Sequence, residues 1–240
     1  MRTLKWGIIG CGNIASDFVH ALRNSAYDHR VRLTAIQTFN GYLQATHFHL
    51  NIAGRNPRFN LSTCEVPTLS TGVYCVSLAF FLFGESPVRI HAVGEKNEEG
   101  FEEWCNLSLV FADGKHATLY FGRACLSAWT AYIACTKGQI QVHNFCWAPT
   151  EFTKINGPIR VGATKSETFE YPLPDDHSKY FFNHSQGLVY EADHVFEMLQ
   201  KGRTESEIMP LDTSLKIAGV LDEIRRQLEV RFPQDDERHA

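Results

Sequence analysis

The chain has 240 residues, 44% of them hydrophobic and 21% charged, with a formal net charge of −4 at neutral pH. That length and composition suit one large globular domain or two smaller ones, either of which would bury a substantial core. The mild negative charge excludes the electrostatic footprint of a nucleic-acid or anionic-membrane binder, and no apolar run approaches the ~18 residues of a membrane span.

Residues 4–9 form a short apolar run that ends on Gly10 and predicts a buried strand. Ile14, Ala15, Phe18, Val19 and Leu22 then recur at helical spacing, and Asn24 and Ser25 close that helix. Residues 31–36 alternate as a second strand, so the opening reads as one βαβ unit. Between strand and helix, Gly10-Cys11-Gly12-Asn13-Ile14-Ala15 matches G-x-G-x-x-A. The first glycine permits the tight turn, the second lets a pyrophosphate approach the backbone, and the small Ala15 lets the helix pack on the strand. The helix N-terminus then offers amide donors and its positive dipole end. These six residues are the candidate dinucleotide-binding residues. The carboxylate expected for a ribose at the end of the second strand is missing, since Gln37 and Thr38 stand there. Arg32 is either a solvent-facing strand residue or a contact for a 2′-phosphate. A complete doubly wound sheet takes roughly 130–150 residues, whereas residues 1–38 precede an irregular stretch. The expectation is therefore an incomplete Rossmann βαβ, an α/β remnant.

Residues 39–68 show no sustained period beyond a strand signal near 42–50, and are read as an irregular junction. His47 and His49 are too few for a metal site, so no metal is expected. The seven cysteines form no C-x-x-C pair and indicate reduced thiols in a cytoplasmic protein. The start of the chain runs straight into a glycine turn, which argues against a signal peptide.

From residue 69 the patterns strengthen. A helical apolar face spans 72–83, with Ser70 as its expected cap, and 87–94 alternates as a strand. Asp113-Gly114 between 107–112 and 116–122 predicts a hairpin, and Thr136-Lys137-Gly138 predicts another between 130–135 and 139–143. A helix is expected over 188–201 on the stripe Leu188, Ala192, Val195 and Leu199, stopped by Gly202. Another is expected over 213–228 on Leu215, Ala218, Leu221, Ile224 and Leu228, with Asp212 as N-cap. Residues 69–240 are thus read as an α+β domain with a mostly antiparallel open sheet flanked by helices. Cys146-Trp147 reads as a buried strand end, His194 as a packing or hydrogen-bonding residue, and Asp175-Asp176 and Asp235-Asp236-Glu237 as solvated turns or tails. Ser77, Ser127 and Ser185 lack the G-x-S-x-G context of a hydrolase.

Residues 72–85, 136–152, 190–202 and 221–235, together with 5–18, resemble the glucose-fructose oxidoreductase family (Gfo/Idh/MocA). The resemblance implies an NADP- or NAD-dependent oxidoreductase of the dihydrodiol or D-xylose dehydrogenase type. It also implies a sugar or cyclic diol as substrate and a homodimer formed through the open sheet face. Tyr74 matches the family's catalytic tyrosine; Ser70 stands where its aspartate would be, and its Glu-Lys-Pro motif has no counterpart. Glu95-Lys96-Asn97 is no substitute, because it follows a strand of the sheet domain. A second expectation is a shortened form, catalytically impaired, that retains the second domain as a binding or dimerisation module.

Overall fold

The computed structural model describes residues 4–7, 13–27, 29–32, 61–123, 127–135, 137–157, 165–174 and 179–236. In chain order the elements are β1 (Leu4–Gly7), α1 (Asn13–Ala21), β2 (His29–Arg32), α2 (Val73–Phe83), β3 (Arg89–Lys96), β4 (Glu102–Val110) and β5 (His116–Gly122). They continue with β6 (Ala131–Cys135), β7 (Gly138–Val142), β8 (Glu151–Asn156), β9 (Lys165–Glu170), α3 (Leu188–Gln200), α4 (Leu211–Gln227) and the single turn α5 (Pro233–Asp236). The chain divides into two compact units that interleave in sequence: Met1–His47 with Ser127–Thr204, and Phe48–Leu126 with Glu205–Ala240.

In the first unit, β1 and β2 pair in parallel, from Leu4 opposite His29 to Gly7 opposite Arg32. The connection between them is helical, so the predicted βαβ is present. Trp6 meets Phe18 edge-on at 5.1 Å between ring centroids, and Ala21 and Leu22 are buried. Ile14, expected on the apolar face, is 53% exposed. The same unit holds a four-stranded antiparallel sheet in the order β6-β7-β8-β9. Its first hairpin is the predicted one. Gly138 has φ +157°, and a Cβ there would overlap the Ile155 carbonyl oxygen of the neighbouring strand, so only glycine fits. Strands β8 and β9 had no clear signal in the sequence.

Helix α3 forms where expected, and Gly202 follows it at φ +69°. Its buried face is Val189, Ala192, Phe196 and Met198, while Leu199 is 48% exposed. The predicted stripe is therefore rotated, because Phe196 faces inward to stack on Tyr27 at 4.5 Å.

The second unit is built on a three-stranded antiparallel sheet, β3-β4-β5. Asp113 and Gly114 at the β4–β5 turn both have positive φ, +57° and +76°, as a type I′ turn requires. The inner face supplies the fully buried Phe101, Cys105, Leu107, Leu109 and Phe121. Helix α2 covers them with Val76, Ala79 and Phe80, and α4 with Ile217, Val220, Leu221 and Ile224. Each of the Val, Leu, Ile and Phe side chains among them contributes ~1.5–3 kcal/mol on burial. Gly72 lets α2 approach closely, since a Cβ there would lie 3.0 Å from the Phe121 ring.

Three expectations for this unit need correction. Leu215 is 73% exposed and Ala218 is also exposed, so the buried stripe of α4 begins with Ile217 and Val220 and continues through the predicted Leu221, Ile224 and Leu228. Asp212 is not the N-cap: Pro210, extended at φ −65° and ψ 155°, takes that position, and Asp212 pairs with Lys216 one turn on. Proline lacks an N–H and pre-sets φ, which starts the helix before Asp212 is reached. Asp235 is no solvated tail, because it accepts from Arg225 at 3.0 Å and from the Phe232 N–H at 2.9 Å. The predicted antiparallel sheet structure flanked by helices is present, among the described residues as the two sheets β3-β4-β5 and β6-β7-β8-β9. Among the described residues no helix is long and apolar enough to cross a membrane.

Candidate functional site

Helix α1 starts at Asn13, at the end of the glycine motif. Gly10, Cys11 and Gly12 lie outside the described residues, as do Gln37, Thr38, His47, His49, Asp175 and Asp176. Ala15 is half-buried. The first turn of α1 carries no carboxylate, so no side chain of its own competes with a phosphate for the amide end. A pyrophosphate fits that terminus electrostatically. When bound, the nicotinamide of such a nucleotide would supply a hydride acceptor or donor.

One turn further on, Asp17 is completely buried. Its carboxylate accepts the Phe181 N–H at 2.9 Å, the Phe182 N–H at 3.0 Å and the Ser185 hydroxyl at 2.7 Å. Burial of a charge is tolerated when charge-assisted hydrogen bonds satisfy it. The same bonds use up the Ser185 hydroxyl, which is a structural donor here. The 3-10 turn after α1 is tied to α3 as well: the Ser25 hydroxyl donates to Asp193, and the Tyr27 phenol donates to Glu197 at 2.7 Å. That bond to the Glu197 carboxylate holds the Tyr27 phenol above its usual pKa. His194, on the same helix, is half-buried.

Asp17 fixes the segment that carries His184. This histidine has a left-handed backbone, φ +66°, which is uncommon outside glycine and marks a position held by its surroundings. His184 Nδ1 lies 2.7 Å from the Ala148 carbonyl oxygen. A carbonyl only accepts, so Nδ1 carries the proton and Nε2 is the acceptor of the neutral ring. The imidazole stands edge-on to Phe145 at 5.0 Å. Phe145 in turn packs against Trp129 at 5.5 Å and Trp147 at 5.1 Å, and the two tryptophans meet at 5.6 Å. All four rings are half-buried. Cys146 and Trp147 occupy a turn between β7 and β8, not the strand end expected of them; the Cys146 N–H bonds to the Trp129 carbonyl at 2.9 Å and holds the turn. Burial pushes the Cys146 thiol up, away from reactivity. Asp17, His184 and the aromatic cluster escaped sequence reading. The spacing of Trp129, Phe145 and Trp147 around a hairpin was the signal available for the cluster.

In the second unit, Tyr74 is the second residue of α2 and is 45% exposed. Ser70 does not cap this helix. The helix begins near Pro67 with a π-helical turn, Thr68–Gly72, and the Ser70 hydroxyl donates back to the Val66 carbonyl at 3.0 Å. Thr71 does the same to Pro67 at 2.8 Å. The π turn is held by Glu102, a fully buried carboxyl that accepts the Thr68 N–H. Burial raises the Glu102 pKa against the opposing pull of its hydrogen bonds and of Arg225. Glu95 and Lys96 end β3 itself, and Lys96 Nζ donates to the Glu229 carbonyl at 3.2 Å. A shallow groove of about 340 Å³ runs beside them. Next to it the Gln227 amide imitates a strand, taking the Ala92 N–H and donating to the Ile90 carbonyl, both at 2.8 Å. That covers part of the sheet edge. Among the described residues no three His, Cys, Asp or Glu are grouped to hold a metal ion.

Residues 37–141 match the family described as the GFO/IDH/MocA C-terminal domain. The chain carries a Gfo/Idh/MocA C-terminal domain. It is 34% identical over 168 residues to human trans-1,2-dihydrobenzene-1,2-diol dehydrogenase, covering 70% of this chain and 47% of that protein. The mouse protein of the same name is 36% identical over 168 residues, with the same coverage of 70% and 47%. The chain thus spans about half the length of the curated relatives it matches. Among solved structures, levoglucosan dehydrogenase in complex with NADH and levoglucosan superposes with a TM-score of 0.56 at 16% identity, over 72% of this chain and 51% of the other. UDP-N-acetylglucosamine 3-dehydrogenase from Acidithiobacillus ferrooxidans gives 0.55 at 14% identity, over 71% and 49%. At such identities the likeness concerns the Gfo/Idh/MocA fold alone.

Proposed function

We propose that this chain is a nicotinamide-nucleotide-dependent oxidoreductase acting on a small hydroxylated ring, a cyclic diol or a sugar, with NADP as the nucleotide. One observation carries the reading: the helix that follows the glycine motif is locked, through Asp17, to the segment bearing His184 beside Trp129, Phe145 and Trp147. A phosphate-binding helix end and an aromatic platform suited to a ring are thereby held by one buried carboxylate. The names of the relatives, a diol dehydrogenase and a levoglucosan dehydrogenase bound to NADH, support the same chemistry.

In this reading Gly10–Ala15 take the pyrophosphate and the aromatic rings take the apolar face of the substrate. Tyr74, exposed near the start of α2, is the proton-transferring group that the resemblance to the family suggests. The protein works in the cytoplasm as a homodimer formed through sheet faces, with residues 1–38 as its nucleotide-binding part and 69–240 as its substrate and dimerisation part. The test is turnover: the chain incubated with NADP+ and either a dihydrodiol or D-xylose should yield reduced nucleotide, and Tyr74→Phe should slow it at least tenfold. No turnover with either substrate, or a fully active Tyr74→Phe, overturns the reading.

A second reading is favoured by Ser70. It stands where a carboxylate is expected, and its hydroxyl is spent on Val66, so it supplies neither charge nor base. On that reading the chain binds nucleotide or ring without turnover and serves as a binding or dimerisation module. Saturable binding with no hydride transfer distinguishes it.

A further inference from the structure

The geometry points to His184 as the residue that selects hydroxylated over plain rings, by accepting a hydrogen bond from a ligand hydroxyl at Nε2; this rests on reading Trp129, Phe145 and Trp147 as a ring-binding platform. Three observations converge on it. The Ala148 carbonyl at 2.7 Å fixes the proton on Nδ1, which leaves Nε2 as the only acceptor of the neutral imidazole. The imidazole meets Phe145 in a T-shaped contact at 5.0 Å between ring centroids, so the ring that carries this acceptor is itself a member of the aromatic cluster. The backbone beneath it is held in the left-handed region at φ +66°, while Ser185, the next residue, is anchored on Asp17 at 2.7 Å.

Aromatic faces attract the C–H face of any ring and do not separate a diol from its ether. A single acceptor with a fixed tautomer makes that distinction, because only a hydroxyl can donate to it. Asp17 acts as the positioning residue, since its bonds to Phe181, Phe182 and Ser185 hold the histidine segment from both sides.

The test compares trans-1,2-cyclohexanediol with its dimethyl ether, which keeps the ring but cannot donate, using quenching of tryptophan fluorescence in the full chain. The wild type should bind the diol about tenfold more tightly than the ether, the worth of one net hydrogen bond. His184→Asn is the informative variant. Asparagine tolerates the left-handed backbone and its amide can still donate to Ala148, but it places nothing at Nε2. It should bind both compounds equally, at the level of the ether. Should this variant fail to fold, isotope-labelled histidine in the wild type reads the same contact: one imidazole nitrogen resonance should move with the diol and stay with the ether. Equal binding of the two compounds by the wild type, or an undiminished preference in His184→Asn, overturns the inference and leaves the ring platform standing. Absence of quenching by either compound removes the platform and the inference with it.

Discussion

Asp17 and Ser185, 168 positions apart in sequence, are joined by a 2.7 Å hydrogen bond inside the protein, with Asp17 0% and Ser185 5% exposed. Removing this carboxylate strands the hydroxyl and two backbone amides. Asp17→Ala should therefore cost about 3 kcal/mol, within the range for unsatisfied buried donors, and Ser185→Ala about 1 kcal/mol. Urea denaturation followed by circular dichroism measures both, and equal midpoints for Asp17→Ala and the wild type would refute the account of this bond.

Glu102 predicts an unusual pH response. Its folded-state pKa lies above the ordinary 4.5, chiefly because burial disfavours the charge. The folded state then binds the proton more tightly than the unfolded one. The stability this confers is full below the ordinary glutamate value and is lost as pH rises through the raised one. Glu102→Gln keeps an oxygen for the Thr68 N–H and removes the charge. It should leave stability at neutral pH unchanged or higher, and should flatten the fall in melting temperature above the ordinary carboxylate range. A large loss of stability at neutral pH would contradict this.

Arg225 ties the end of the second unit together. It donates to Asp222 and Asp235, each at 3.0 Å, and lies 4.1 Å over the Phe232 ring. The Arg225 side chain is only 12% exposed, so its loss removes buried packing against Phe232 together with both ion pairs. Arg225→Ala should destabilise by about 2–3 kcal/mol, whereas Arg226→Ala, whose partner pair is exposed, should cost under about 1 kcal/mol. Paired denaturation curves decide between them.

Thiol chemistry offers a direct probe of burial. Cys105 is completely buried and its pKa is pushed up to about 12, chiefly by burial, while Cys135 is exposed. An alkylating agent at mildly alkaline pH should label Cys135 and spare Cys105 until the protein unfolds. Peptide mass spectrometry reads the order, and early labelling of Cys105 would show that the β3-β4-β5 core is open.

Local features of the fold were legible in sequence where local chemistry dictates them. Asp113-Gly114 and Gly138 mark hairpins because few other residues accept their positive φ angles. Helix periodicity located α1, α3 and α4, and with them the buried Ala192, Leu221, Ile224 and Leu228; it did not show that Phe196 turns inward to meet Tyr27 or that Leu215 turns out, which depend on distant neighbours. Strands β8 and β9 escaped because they lack an alternating apolar face; Phe152 stacked on Phe169 at 5.0 Å is their main apolar link. The glycine motif and Tyr74 stood out through spacing and resemblance. Asp17 could not, because two of its three partners are backbone amides, which no sequence pattern displays. His184 was hidden in the same way, its backbone angle and its bond to Ala148 being tertiary facts.

Binding of a dinucleotide at the glycine motif that leads into α1 is read by the quenching of protein fluorescence with NADPH. Saturable quenching at micromolar nucleotide is expected in the wild type, with a loss of about a hundredfold in Gly12→Asp, where a carboxylate would meet the pyrophosphate. No saturation up to millimolar nucleotide, or equal affinity in Gly12→Asp, would contradict it.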